Sequence, residues 1–126
     1  ICKNWGYKLL GETIYKESID EMKHADKLVE RVLYLEGLPN LQKLDKLLIG
    51  QSVPEILRND LAVEHVAIPR LNKAIAACRD VGDHGSEVLL KDILVSEEEH
   101  VDWLEAQLEL LKQMGESAYL SQQIHE

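Results

Sequence analysis

Residues 21–24 read Glu21-Met22-Lys23-His24, and residues 97–100 read Glu97-Glu98-Glu99-His100. Each pair sets a carboxylate and an imidazole three residues apart, one turn of a helix, so that both groups face the same point. Alone the motif is weak. Its weight comes from the positions that flank it. Leu10, Ile14, Glu17, Glu21, His24, Leu28 and Leu35 form one series, with most steps of three or four residues. Leu90, Ile93, Glu97, His100, Leu104, Leu108 and Leu111 form another, and Leu57, Leu61, Glu64, Ile68, Leu71, Ile75 and Cys78 lie between them. These are the buried stripes of three amphipathic helices. Each stripe is apolar except near its middle, where carboxylates and histidines replace aliphatics. An unpaired buried carboxylate is very costly, so these groups must be paired or bound to a metal.

Stop and start signals bound the helices. The first is expected over residues 5–35, closed by Gly37 and Pro39. Ser52-Val53-Pro54-Glu55 is a capping box with Pro in the first turn, and it opens a second helix reaching about residue 81. Gly82-Asp83-His84-Gly85 ends it, and a third runs over 83–114 to Gly115. A short last helix is expected over 117–123. Residues 36–51 are too many for a tight antiparallel turn. Their leucines (Leu38, Leu41, Leu44, Leu47 and Leu48) suit a crossover lying along a bundle, which makes helices one and two parallel. The short 82–85 turn makes helices two and three antiparallel neighbours.

Composition agrees with an all-α domain. The 126 residues carry 45% apolar and 29% charged side chains, with no Phe, 7 Gly and 3 Pro. That is room for a single domain. The net charge of -9, with no basic cluster, argues against a nucleic-acid partner. The apolar runs are too short to span a membrane. Two cysteines, Cys2 and Cys78, make no disulfide framework and are expected as free thiols in a reducing, cytoplasmic setting.

The three acidic centres fall at one level. At about 1.5 Å per residue, Glu21 lies roughly 24 Å along its helix, Glu64 roughly 16 Å along a parallel neighbour and Glu97 near 21 Å. Glu21, His24, Glu64, Glu97 and His100 are therefore the expected metal ligands. Carboxylates with imidazoles and no thiolate suit iron or manganese better than structural zinc. Three carboxylates point to two ions.

The chain resembles the ferritin-like di-iron carboxylate proteins, and their bacterioferritin branch closely. Lys3-Asn4-Trp5-Gly6, Glu17-Ser18-Ile19-Asp20-Glu21-Met22-Lys23-His24-Ala25-Asp26, Leu35-Glu36-Gly37-Leu38-Pro39-Asn40-Leu41-Gln42 and His100-Val101-Asp102-Trp103-Leu104-Glu105 carry the likeness. The resemblance implies a ferritin-like four-helix bundle with a short C-terminal helix. It also implies a large hollow shell of identical subunits that oxidises Fe(II) with O₂ or peroxide and stores ferric mineral. Glu21 and Glu97 would bridge two irons, with Glu64, His24 and His100 as terminal ligands. The family's sixth ligand is a Glu on a helix that would precede residue 1. The chain, which opens without Met, is thus expected to lack about its first thirty residues, and with them the first of the four helices.

Met22 points about 100° away from Glu21, onto an outward stripe with Tyr15, Ile19 and Val29. The resemblance implies that it ligates haem b, shared with a second subunit at a two-fold interface, and that a ferredoxin-type protein serves as reductant. It also sets Lys16 and Asp20 on the inner shell surface. His65 reads as rotated off the core beside a kink at Pro69, and His84 and His125 as solvent-facing. The leading expectation is a ferroxidase for iron storage and detoxification. The alternative is a haem-bearing electron-transfer or structural shell protein with a fixed or incomplete di-iron site.

Overall fold

The computed structural model describes residue 2, residues 5–35, residue 37 and residues 50–124. Among them are four helices and no strand: α1 (Lys8–Tyr34), α2 (Val53–Asp80), α3 (His84–Met114) and α4 (Glu116–Gln122). Helix α1 begins three residues later than expected. Gly6 sits at φ +86°, a conformation that leaves the helical path, and the Tyr7 N–H is taken by the Cys2 carbonyl at 2.9 Å. Leu35 lies just beyond the helix and is exposed rather than on the buried stripe.

Helix α2 starts where its signals place it. Ser52 is extended, and its hydroxyl accepts from the Glu55 N–H at 3.3 Å, with Pro54 in the first turn. It runs on through Pro69 to Asp80. Its end is a Schellman motif: Asp83 N–H donates to the Cys78 carbonyl at 2.8 Å and Gly82 N–H to the Arg79 carbonyl at 3.1 Å. That pattern needs a left-handed residue, and Gly82 supplies it at φ +77°. Asp83 then caps α3, its carboxylate accepting from Ser86 N–H at 3.2 Å. One four-residue turn therefore ends one helix, starts the next and reverses the chain.

Contacts at the two ends of the molecule fix the directions. The start of α1 packs Leu10 in one buried cluster with Val53 and Leu57 from the start of α2, Leu104 from the late part of α3, Tyr119 of α4, and Cys2. The far end of α1 reaches the α2–α3 turn, where Arg31 Nη2 lies 2.9 Å from Asp83 Oδ1 and its Nε donates to Ser86 Oγ at 2.9 Å. So α1 and α2 are parallel and α3 is antiparallel to both, as expected. Most of the connection between α1 and α2, with its five leucines, lies outside the described residues, as does His125. Both cysteines are free.

Helix α4 closes the end bearing the cluster. Gln123 accepts from the Leu9 N–H at 3.0 Å, and the fully buried Tyr119 donates its hydroxyl to Gln107 Oε1 at 2.5 Å. Leu10, Leu57 and Leu104 are each essentially inaccessible, and burial on this scale contributes about 1.5–3 kcal/mol per side chain. The cluster anchors one end and the Arg31 bonds anchor the other. Between them the three helices hold their middles together, at the level of Glu21, Glu64 and Glu97.

Candidate metal centre

Glu21 of α1, Glu64 of α2 and Glu97 and His100 of α3 each present one ligand atom, and these four atoms lie within 4.8 Å of one another. Three of the four residues are buried; Glu21 stands at the accessible edge. His100 Nδ1 faces Glu64 Oε1 at 3.3 Å, and its Nε2 lies 3.7 Å from Glu17 Oε2. His24 is beside the group rather than in it, with Nδ1 3.4 Å from Glu97 Oε1. Glu97 therefore stands between His24 on one side and Glu21, Glu64 and His100 on the other.

The polar atoms here are short of partners. Glu64 Oε2, Glu97 Oε2 and His24 Nδ1 are buried and none makes a hydrogen bond; the His24–Glu97 approach lacks the geometry of one. Folded proteins leave few such groups, because each forfeits its solvation without recompense. Among the described residues, the largest contributions to the shifts of Glu21 and Glu97 come from carboxylates and histidines, not from Lys or Arg. The group could hold a metal ion, and its carboxylate–imidazole donor set suits iron or manganese.

The electrostatics record the same deficit. Desolvation, together with the neighbouring Glu97, pushes Glu21 up to about 7. Desolvation and Glu64 do the same to Glu97, also to about 7, against opposing contributions from Glu21 and His100. Like charges crowded in a partly dry site cannot all ionise, so the group keeps a proton near neutrality. Burial pulls His100 down, but Glu64, Glu17 and Glu97 outweigh it and its pKa lies above the ordinary value.

A cavity of about 230 Å³ leads to the group, lined by Ile14, Glu17, Ser18, Glu21, Asp60, Val63, Glu64 and His100. Asp60 is raised by desolvation, with Glu17 adding to it and His100 opposing. Sequence reading passed over Asp60, although it stands four residues before Glu64 and hence on the same face. It placed Glu17 on the buried stripe without giving it a role.

Of the five expected ligands the structure thus gathers Glu21, Glu64, Glu97 and His100, and sets His24 against Glu97. Met22 stands apart from them, 56% exposed on the outer side of α1 beside the exposed Tyr15, with Ile19 and Val29 half-buried. His65 is exposed, as expected. His84 is also exposed, but it contacts Glu87 at 3.1 Å, a partnership the sequence reading did not foresee. No helix among the described residues is long and apolar enough to cross a membrane.

Comparison with known proteins is consistent with this geometry. The ferritin family model, described as a ferritin-like domain, matches residues 1–114. The chain is 45% identical over 120 residues to the bacterioferritin of Mycobacterium leprae (strain TN), covering 95% of this chain and 76% of that protein. It is 43% identical to the bacterioferritin of Brucella melitensis (94% of this chain, 74% of that protein). Identity to the bacterioferritin of Rhodobacter capsulatus is also 43% (93% and 73%).

Proposed function

Because the chain belongs to the ferritin-like family, in its bacterioferritin branch, we propose that it stores iron and oxidises Fe(II) at the Glu21–Glu64–Glu97–His100 group. The observation that carries this reading is the group itself, with two buried carboxylate oxygens, Glu64 Oε2 and Glu97 Oε2, that have no partner. Fe(II) is the substrate, and it gives electrons to O₂ or peroxide before passing inward as ferric ion.

The chain's own residues do three things in this reading. Glu97, flanked by both halves of the group, and Glu21, whose carboxyl adjoins it, would be the shared iron ligands, and Glu64, His24 and His100 would hold the iron as terminal ones. The carboxyls of Glu21 and Glu97 give up the proton that they keep near neutrality as the cation arrives. Glu17 and Asp60 line the approach with negative charge, and the net charge of -9 favours cation attraction overall.

The remaining parts of the proposal concern assembly. Copies of this chain would form a large hollow cytoplasmic shell. Met22, a soft thioether exposed on the outer side of α1, would meet its counterpart from a second subunit on haem b. A ferredoxin-type protein would return electrons to mobilise the iron. Stopped-flow oxidation of Fe(II) tests the central claim. A rapid phase in the wild type that is missing from Glu97→Ala supports it, and equal rates in the two overturn it.

A further inference from the structure

Helix α1 is 27 residues long, and none of them from Glu12 to Tyr34 is buried. Its start does little to stiffen it. Tyr7 offers no side-chain cap, no acid stands in the first turn, and Gly11 follows close behind. The other two long helices differ. Ser52 and Asp83 cap them, and they pack closely on each other, whereas α1 meets α3 sparsely. Helix α1 is fastened at its two ends, by Leu10 in the apolar cluster and by Arg31 on Asp83 and Ser86.

Between those ends lies the acidic group. Helices α2 and α3 bring Glu64, Glu97 and His100, all buried, with His100 Nδ1 and Glu64 Oε1 hydrogen-bonded at 3.3 Å. Helix α1 brings Glu17, Glu21 and His24, none of them buried. Its ion-pair approaches to α3 fall short of hydrogen bonds. His24 Nδ1 stops 3.4 Å from Glu97 Oε1 and out of line, and Glu17 Oε2 is 3.7 Å from His100 Nε2. Carboxylates on both sides of this gap repel, so the middle of α1 gains little by closing until a cation lies between them.

Resting on the metal-centre reading, we propose that α1 is a strap closed by the ion. Helices α2 and α3 carry a preformed half of the site, and residues 13–30 of α1 open ahead of them until a cation between Glu21 and Glu97 draws the strap shut. A segment with few buried apolar contacts opens locally at a lower free energy than the core. Once the site is loaded, opening breaks the contacts of the α1 ligands, so the binding free energy adds to that of opening. Ile14, Glu17, Ser18 and Glu21 of α1 form one wall of the 230 Å³ cavity that leads to the group. The same movement therefore widens or narrows the way in.

Hydrogen exchange of the whole chain, followed amide by amide, tests the strap. Without metal, residues 13–30 should exchange faster than the middles of α2 and α3. Co(II) at about a hundredfold excess over its Kd, with occupancy read from the visible d–d bands, should slow them about 100-fold. Glu21→Leu joins Ile14 to Leu28 in the apolar stripe and should fold. It should slow the same amides about tenfold without metal, the gain from burying most of one aliphatic side chain, and leave them indifferent to Co(II). Metal-free exchange as slow in α1 as in α2 and α3 overturns the proposal, and so does Glu21→Leu exchange no slower than wild type. Bands without slowing of α1 overturn the strap and leave the metal centre standing. Absence of bands removes the metal centre and the closing ion together.

Discussion

Glu87 and Glu97 stand on the same helix and are buried to nearly the same degree, at 7% and 4% exposure, yet their carboxyls meet opposite surroundings. Glu87 Oε2 receives Arg79 Nε at 2.9 Å and Nη2 at 2.8 Å, and Lys91 Nζ at 3.0 Å; its Oε1 faces His84 at 3.1 Å. Those partners hold it down to about 2. Glu97 has one oxygen with no partner, other carboxylates around it, and a pKa raised to about 7. Burial is therefore not what separates them. Supplied cations make the α2–α3 turn a finished ionic cluster, whereas among the described residues the middle of the bundle groups acids and histidines with no such Arg or Lys partner. A structural cluster satisfies its own charge, and a binding site leaves that to its ligand.

The largest expected effect tests that division directly. Glu97→Ala should weaken Co(II) binding by at least about 100-fold, the upper end for loss of even an outer partner. Glu87→Ala should leave it unchanged while lowering the thermal midpoint, since Arg79 and Lys91 lose their shared acceptor. Calorimetric titration and melting of the two variants check both halves. Equal losses of affinity would dissolve the distinction between the clusters.

The next effect concerns the metal itself. A cation that binds only the folded chain adds about 2.7 kcal/mol of stability at a hundredfold excess over its Kd. The midpoint should rise with Co(II) and return with chelator. Without metal, Glu97→Leu should melt higher than the wild type, because it removes a group whose charge the site does not satisfy. The same exchange at Glu87 should melt lower. A Glu97→Leu protein less stable than metal-free wild type would show that the carboxyl is satisfied without a cation.

How much of this contrast can be read in the chain follows from which contacts are local. The Glu-x-x-His pairs, the stripe positions and the Ser52 and Asp83 caps are patterns within one helix or turn, and they place Glu21, Glu64, Glu97 and His100 at one level. The Schellman turn is likewise local, and Gly82 announces it. The partners of Glu87 are near in sequence too, His84 and Lys91 on its own helix and Arg79 across the short turn. Arg31 is not of that kind: it comes from another helix, so its arrival at Asp83 and Ser86 is decided by tertiary packing. The facing of Glu17 to His100 spans helices too, which is why Glu17 could be placed on a stripe but not given a partner.

pH separates the clusters next. Glu21 and Glu97 have folded values near 7, above their ordinary 4.5, so the fold favours their protonated forms. Their contribution to stability is full below about 4.5 and is lost as pH rises through about 7. Glu87 has the reverse sign: its contribution is full above about 4.5 and is lost as pH falls toward 2. Metal-free protein should therefore lose stability from about pH 5 to 8, and saturating Co(II) should abolish that loss while releasing protons to the buffer. Melting profiles with and without metal read both. A metal-free profile flat across that range would mean that the central carboxyls are ordinary.

The smallest effect asks whether the two clusters are independent. Gly85 is the second residue of α3, and a Cβ there would come 2.5 Å from Arg31 Nη2. Gly85→Ala gains up to about 1 kcal/mol in helix propensity, less so close to a terminus. Against this, the guanidinium must shift from Asp83 and Ser86, but it is the far end of a flexible side chain and half-exposed. The two contributions oppose each other at similar size, so the urea midpoint should scarcely move. Co(II) affinity should not move at all, because Arg31 holds the end of α1 while Leu10 and the cluster around Tyr119 hold its start. A change in affinity without a change in stability would mean that the turn sets the height of Glu21 along the bundle, and that the two acidic regions are mechanically one.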